Sequence, residues 1–470
     1  MSRRPLRRAA GPALAALLGL ASALFPSARA NSSDLLTPSL HVDQLDNGLK
    51  VVSLPLDDPN VVVFATIIRA GGRNETDPGS EGLARLLERL TARGPLRSPR
   101  AFDAELLVRL GARTAGFVAD DATVRTIVFG GRENLESVVR SEADRIVNLE
   151  IDAETLPSEA AALAEEAAVK AAGGPEARLE EALRRTAFAA HPYGRPLFGT
   201  RSEMSSLPER IAAGQQFKKR AYAPDNVVLL AAGDVAPGRL LELARKYYGS
   251  WEKSNFEFTV PAEPLPDKPR RVRVAWDVPT RARLSIGFRV PAFSDQAPDK
   301  AALDLLASVA FSSSSPLYDR IVRREKLCLT LEAAAADRRD PYLLIVNASA
   351  AAETDLAQIE KAILAEIERL KTELVPPQAL TAAKAGRRNA LQLAMETTEG
   401  RAAVLSRFIA LTGDSESLGR INGLYERISP AELREAARRY LKTATTATLA
   451  LGPPPEPAAP QEPAAKESRR

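Results

Sequence analysis

The segment Gly82-Leu-Ala-Arg-Leu-Leu-Glu-Arg-Leu90 contains the pattern from which the fold is most directly predicted. Its leucines stand at positions 83, 86, 87 and 90, the spacing that places apolar side chains on one face of an α-helix. We therefore predict a helix over 80–92 with a buried leucine face. Arg85, Glu88 and Arg89 lie on the same helix, so the chemistry of the protein depends on what these charged side chains can do.

Strand and helix patterns around this segment form two series of the same order. Each series begins with two strands, continues through a helix-rich middle and ends with a helix and a strand. The predicted opening and closing strands are His41–Leu54, Val61–Ile68 and Asn226–Ala232 in the first series, and Arg271–Trp276, Arg283–Val290 and Ala447–Leu451 in the second. The offset of roughly 220 residues is far longer than a solenoid repeat and indicates duplication of a whole domain.

The chain is therefore predicted to contain two homologous α+β domains, at 37–255 and 271–452. The linker between them, 256–270, contains four prolines, a composition typical of connections between domains. Two homologous domains joined in this way are expected to face each other like the shells of a clam.

Gly82–Leu90 resembles the signature helix of the pitrilysin/insulinase family of zinc peptidases, which reads Gly-x-Ala-His-Phe-Leu-Glu-His-Met. In that family the two histidines bind zinc, the glutamate between them is the general base, and a glutamate on a later helix completes the site. Further motifs resemble the family in the same order along the chain: Asp46–Val52, Ala70–Glu75, Asp121–Thr123, Glu159 with Glu166, His191–Thr200 and Tyr222–Asp234. The resemblance implies two α/β-sandwich domains of the duplicated, LuxS/MPP-like metallopeptidase fold.

The positions that match the zinc-binding histidines are Arg85 and Arg89. A guanidinium group stays protonated and only donates hydrogen bonds, so it cannot ligate a cation. Glu166, 77 residues after Arg89, matches the family's second glutamate, and Glu159 lies seven residues before it. We expect no zinc cofactor and no catalytic residue in this degenerate site. Arg85 and Arg89 are expected to pair with Glu88, Glu159 or Glu166, with anion binding as the alternative.

The features that hold substrate in the family are also incomplete. The resemblance places Ala115 where relatives carry an asparagine that helps to hold the peptide backbone. Active relatives grip the substrate carbonyl with an arginine and a tyrosine in the second domain. Arg324 matches the arginine, but the tyrosine position falls on Leu329 or Thr330. Arg324 is thus the one weak candidate for substrate binding.

Composition excludes other classes of function. The 470 residues carry a net charge of only +4 and 5% aromatic residues, and no basic stretch alternates with aromatics, so we predict no nucleic-acid partner. The single cysteine, Cys328, lies in an apolar run and is predicted to be a core thiol.

Residues 1–30 have the pattern of a secretory signal peptide. A cluster of arginines precedes the apolar run Ala13–Phe25, which is too short to span a bilayer, and the cleavage pattern Ala28-Arg-Ala30 follows. No later segment is apolar for long enough to span a membrane. We expect an exported protein, periplasmic if the source is Gram-negative, and a disordered tail over 453–470.

Three functions are compatible with these patterns. The favoured one is a non-catalytic subunit that pairs with a zinc-bearing homologue and helps to bind a peptide or unfolded protein, as in the heterodimeric bacterial members of the family. The second is a structural or peptide-binding module without a proteolytic role. The third is an enzyme with altered chemistry.

Overall fold

Two mixed β-sheets, each covered by helices, form the molecule in a computed structural model that describes residues 39–94 and 106–451. The predicted signal peptide (1–30) and tail (453–470) lie outside the described residues, as does the start of a helix predicted over 101–110. In the described part of the chain, no helix combines the length and the apolar character needed to cross a membrane.

The first sheet has six strands in the spatial order β1-β2-β6-β3-β5-β4. Strands β2 and β6 are parallel, and every other neighbouring pair is antiparallel. The strands are β1 His41–Gln44, β2 Lys50–Pro55, β3 Val61–Ile68, β4 Arg113–Val118, β5 Thr123–Gly130 and β6 Val227–Gly233.

The second sheet repeats this arrangement in the order β7-β11-β8-β10-β9. Its single parallel pair, β7 with β11, corresponds to β2 with β6. The strands are β7 Arg270–Trp276, β8 Arg283–Val290, β9 Cys328–Ala335, β10 Tyr342–Ala350 and β11 Ala444–Leu451. The prediction of two homologous α/β domains is confirmed by this match of strand order and strand direction.

Helices cover both faces of each sheet. In the first half they are α1 Leu83–Arg93, α2 Leu135–Val147, α3 Leu156–Ala171, α4 Pro175–Ala187, α5 Arg201–Ser205, α6 Ile211–Ala221 and α7 Arg239–Tyr248. In the second half they are α8 Asp299–Phe311, α9 Leu356–Thr372, α10 Pro377–Ala394, α11 Thr398–Thr412, α12 Ser417–Arg427 and α13 Pro430–Tyr440. Short helical turns occur at 72–74, 132–134, 192–194, 207–210, 224–226, 316–318 and 353–355, and a π-helical turn spans Asp319–Arg324.

The two halves face each other closely, because each gives one helix to the sheet of the other. Helix α4 packs on β7, β8 and β11, whereas α11 packs on β3 and β6. As a result, apolar side chains of the first sheet, such as Val63 and Leu230, belong to the same core as Leu405 and Ile409 of α11. The clam-like pair of domains is therefore closed, with a shared apolar core between its halves.

Candidate functional site

Helix α1 begins at Gly82, whose backbone lies in the left-handed region, and beside the buried carboxylate of Glu75. Gly82 has φ 83°, and a Cβ atom there would lie 2.4 Å from the terminal methyl of Met204, so a side chain is disfavoured twice. The Glu75 carboxylate accepts the backbone N–H groups of Gly82 and Ala84 at 2.9 and 2.8 Å. Burial raises the pKa of Glu75 to about 8, although these two N–H groups and Arg195 act in the opposite direction.

The helices α1 and α3 are joined by an ion pair of Arg85. Its Nη2 donates to both oxygens of Glu166, at 2.8 and 2.7 Å, and its Nη1 donates to Glu88. The Arg85 side chain is only 17% exposed and that of Glu88 only 10%. Hydrogen bonds between two charged groups are stronger than neutral ones, so Arg85 helps to hold α3 against α1.

A second ion pair lies one helical turn further along α1. Arg89 Nε donates to Glu159 Oε2 at 2.6 Å. Arg93 Nη1 donates to the other oxygen of Glu159 at 3.3 Å and to Thr155 Oγ1 at 2.9 Å. Glu159 and Glu166 of α3 are thus both neutralised by arginines of α1, and the structure places all five residues predicted for the degenerate site in one cluster.

This cluster does not fit zinc. At the two positions that match zinc-binding histidines, Arg85 and Arg89 offer hydrogen-bond donors only. The three glutamates of the cluster already accept hydrogen bonds from guanidinium groups. A zinc site needs about four donor atoms of nitrogen, sulfur or oxygen, and a neighbouring guanidinium repels the ion. Across 39–94 and 106–451, His, Cys, Asp and Glu side chains form no group of three suited to hold a metal. Each of the two arginines already pairs with a carboxylate, which disfavours the anion-binding alternative.

The surface next to the cluster is the open edge of the first sheet. Strand β4 is the terminal strand, and its residues 113–117 are exposed. Gly116 lies against the cluster, since a Cβ atom there would be 3.0 Å from Glu88 Oε1. Ala115, where relatives carry an asparagine, offers only a methyl group at this edge. Phe198 closes the other side, with the Arg85 guanidinium 5.7 Å from its ring centre.

Arg324 lies outside this cluster. It ends the π-helical turn before β9, its side chain is 69% exposed, and its Nε lies 2.8 Å from Asp319 Oδ2. Leu329 and Thr330, the candidates for the tyrosine position, lie on the exposed part of β9. No described contact links Arg324 to the arginine and glutamate cluster of the same chain.

Sequence reasoning missed the role of several family-like motif residues, which build a buried polar junction between the halves. The Arg73 guanidinium and His191 Nε2 both contact the Asp340 carboxylate, with Arg73 Nη2 and His191 Nε2 each at 3.0 Å. Tyr193 donates its hydroxyl proton to Asp121 at 2.6 Å. Burial opposes ionisation of Asp340, but hydrogen bonds from His191 and Arg73 keep its pKa below the ordinary value. The signal available in the sequence was the charged turn Asp337-Arg-Arg-Asp340, whose side chains could have been matched with the charged and polar residues of the motifs Ala70–Glu75, Asp121–Thr123 and His191–Thr200.

Comparisons with known proteins agree with this architecture. Residues 214–387 match the family model described as "Peptidase M16 inactive domain". The zinc protease PqqE of Helicobacter pylori is 24% identical over 444 residues, which cover 93% of this chain and 98% of that protein. The chain is thus similar to M16 peptidases over most of its length, as the resemblance of its motifs to the pitrilysin/insulinase family predicts.

Further relatives and solved structures match most of the chain, and one relative is named as a subunit. The probable mitochondrial-processing peptidase subunit beta of Schizosaccharomyces pombe is 24% identical over 440 residues, covering 88% of this chain and 92% of that protein. The crystal structure of a protease from Helicobacter pylori superposes with a TM-score of 0.79 at 23% identity, covering 88% of this chain and all of that one. The duplicated metallopeptidase-like fold is thus confirmed.

Proposed function

We propose that this protein is a non-catalytic subunit that pairs with a zinc-bearing homologue in the binding or cleavage of peptides. The observation that carries the proposal is the ion pair of Arg85 Nη2 with both oxygens of Glu166, at 2.8 and 2.7 Å, where family members bind zinc. Arg85 thereby pairs with Glu166, the glutamate that matches the zinc ligand on the later helix of the family. A chain with this contact keeps the helix pair and the fold but has no group to activate water.

The family context supports a partner rather than a solitary chain. One relative that matches most of the chain is named as a subunit of a peptidase. The closed contact between the two halves leaves the exposed edges, β4 and β9, as the surfaces on which an extended peptide or a second chain can add. Any chamber for a peptide is therefore expected between this chain and its partner.

Co-expression with an intact homologue that carries His-x-x-Glu-His tests this proposal. We expect a stable complex on gel filtration, with zinc-dependent peptidase activity above that of the homologue alone. A homologue that is fully active alone and forms no complex would overturn the proposal. That result would favour the structural or peptide-binding module, for which the incomplete arginine and tyrosine pair in the second half is the supporting observation.

Arg324 provides a finer test within the same complex. Arg324→Ala is expected to lower the activity of the complex without weakening its assembly, because an exposed guanidinium can reach a substrate carbonyl in the partner's site. Arg320→Ala is the matched control, since Arg320 lies on the same π-helical turn and is 47% exposed. Equal effects of the two substitutions would remove Arg324 from substrate binding.

Metal content tests the degenerate site directly. The purified chain is expected to hold well under one equivalent of zinc by elemental analysis after dialysis. The double variant R85H/R89H is expected to gain zinc, because two imidazoles four residues apart would then face Glu166. Stoichiometric zinc in the unmodified chain would contradict the proposal.

We also propose that the protein acts outside the cytoplasm, on the strength of the signal-peptide pattern in residues 1–30. Fractionation of the source cells and N-terminal sequencing of the mature protein test this. A mature chain that starts near Asn31 in an exported fraction is expected, and an uncleaved cytoplasmic chain would overturn it.

A further inference from the structure

The helices that the two halves exchange are held at their C-terminal ends in the same way. Helix α4 ends at two guanidinium groups of the second half: Arg270 Nη1 donates to Thr186 O at 3.0 Å and Arg289 Nη2 to Ala187 O at 2.9 Å. The last carbonyl groups of a helix lack intrahelical partners and carry partial negative charge, so basic side chains stabilise them. Two basic residues of one half thus hold a helix of the other.

Helix α11 ends at the corresponding residues of the first half. Lys50 Nζ donates to Gly413 O at 2.7 Å, and Arg69 lies at the carbonyl groups of Ala410 and Leu411, at 3.4 and 3.5 Å. Burial and the nearby charges of Arg339 and Arg73 lower the pKa of Arg69 to about 10, well above neutral pH.

The strand registers show that these residues are equivalent. Lys50 faces the second residue of β6, and Arg270 faces the second residue of β11. In β3, the residue just before Arg69 pairs with the first residue of β6. In β8, the residue just before Arg289 pairs with the first residue of β11. The exchange therefore follows the duplication, with each half holding the other by the same two positions.

Two equivalent turns add a contact that is not symmetric. The turn between β4 and β5 carries Asp120 and Asp121, and the turn between β9 and β10 carries Arg338 and Arg339. Asp120 Oδ2 lies 3.0 Å from Arg338 Nη2, and Asp121 Oδ2 accepts the backbone N–H of Arg339 at 3.2 Å. The aspartates of the first turn thus meet the two arginines of the second, so the duplicated halves complement each other where they meet.

We propose that these contacts make the two halves a single cooperative unit, which neither unfolds nor opens half by half. The proposal does not depend on the proposed function. It rests on the exchanged helices, on the shared core and on the turn contact, each of which would have to break before a peptide could enter between the halves.

Native-state hydrogen exchange of the full chain tests the proposal. Leu183 of α4 is fully buried against the second sheet, and Leu243 of α7 is buried within the first half. Leu183→Ala and Leu243→Ala are each expected to raise the exchange rates of the slowest amides in β6 and in β11 alike, by roughly 30-fold or more. An increase confined to β6 for Leu243→Ala, or to β11 for Leu183→Ala, would overturn the proposal.

A milder variant covers the case in which these chains do not fold. Ile409 of α11 is 1% exposed and packs against the first sheet. Ile409→Val is expected to raise the exchange rates in both strands about fivefold. Leu374→Ala is the control for truncation of a leucine, because Leu374 is 51% exposed, and it should change neither strand. Unequal changes in β6 and β11 for Ile409→Val would again contradict a single unit.

Discussion

The helix that follows β3 in the first half and the helix that follows β8 in the second half both carry charge, but with different exposure. In the first half Arg85 and Arg89 of α1 are 17% and 36% exposed and pair with glutamates of α3. In the second half Lys300 of α8 is 1% exposed, and its ammonium group donates to Asp304 and Asp337, at 2.6 and 2.7 Å. Equivalent helices thus hold a partly exposed cluster around Arg85 and Arg89 in the first half and a cluster around the buried Lys300 in the second half.

This difference shows that equivalent helices of a duplicated fold can hold their charges in two ways. The cluster of the first half lies beside an open sheet edge, and solvent still reaches its ion pairs. The cluster of the second half ties α8 to the strand turn at Asp337, and Tyr425 donates its hydroxyl to Asp304 from α12. The cluster around Lys300 is thus part of the packed interior of the second half. Substitutions in the two clusters are therefore expected to lower the free energy of unfolding by different amounts.

The largest effect is expected for Lys300→Met. The substitution leaves Asp304 and Asp337 buried without their ammonium partner, which costs about 3–5 kcal/mol of unfolding free energy. Urea denaturation of the full chain measures it. Lys371→Met is the control, because Lys371 pairs with Glu368, which is 70% exposed, and such pairs contribute at most about 1 kcal/mol. A similarly small loss of unfolding free energy for both variants would show that the cluster around Lys300 does not stabilise the fold.

A smaller loss is expected for Arg85→Met, about 2 kcal/mol by the same measurement. The substitution leaves Glu88 without its guanidinium partner, but solvent reaches Glu166, whose side chain is 26% exposed. The double variant R85M/E166M should lose less than the sum of the two single variants, because the pair acts as one unit. If Arg85→Met costs as much as Lys300→Met, the contrast between the clusters fails.

The first half should also give the stability a pH dependence, through Glu75 at the start of α1. Its folded pKa of about 8 lies above the ordinary value of 4.5, so the folded state binds the proton more tightly than the unfolded state. The contribution is complete below about pH 4.5 and is lost as the pH rises towards 8, by up to about 1.4 kcal/mol per pH unit.

Denaturation midpoints between pH 5 and pH 8 measure this slope. Glu75→Gln should flatten it, whereas Glu209→Gln, at an exposed carboxylate of the same half, should leave it unchanged. The helix α8 of the second half has no side-chain hydrogen bond at its N-terminus, so no matching effect is expected there. An unchanged slope in Glu75→Gln would assign the pH dependence to another group.

The smallest effect is expected for Arg89→Met, below about 1 kcal/mol, because this side chain is more than a third exposed and solvent screens its pair with Glu159. Urea denaturation beside Arg85→Met makes the comparison. A loss equal to that of Arg85→Met would mean that both positions carry the contact between α1 and α3.

Long periodic segments allowed much of the fold to be predicted from the sequence. The leucine spacing predicted a helix over 80–92, which agrees with α1 to within a few residues, and the strand predicted over Val61–Ile68 is β3. Strand β4 gave no such signal, because Arg113-Thr-Ala-Gly-Phe-Val118 has five exposed residues and no alternation. Strand β9 was missed for a similar reason, since its small alanines lack the β-branched pattern of a strand.

The degenerate site could be predicted in part. The motif spacing identified the charged residues of α1 and α3, and the chemistry of arginine predicted their ion pairs. Which glutamate each arginine selects depends on how the two helices cross, so the sequence could not separate Glu159 from Glu166. The junction around Asp340 was also beyond prediction, because its partners lie in the other half and are brought together only by tertiary packing.

The exchange of α4 and α11 also bears on how such a chain could arise. A half-length ancestor would have exposed the inner face of its sheet, an apolar surface that now includes Val63 and Leu230. Two copies could cover these faces by each lending a helix to the other around a twofold axis. Fusion of the two genes would then have turned a homodimer contact into an intramolecular one, free to diverge into the contact of Asp120 with Arg338 in the present chain.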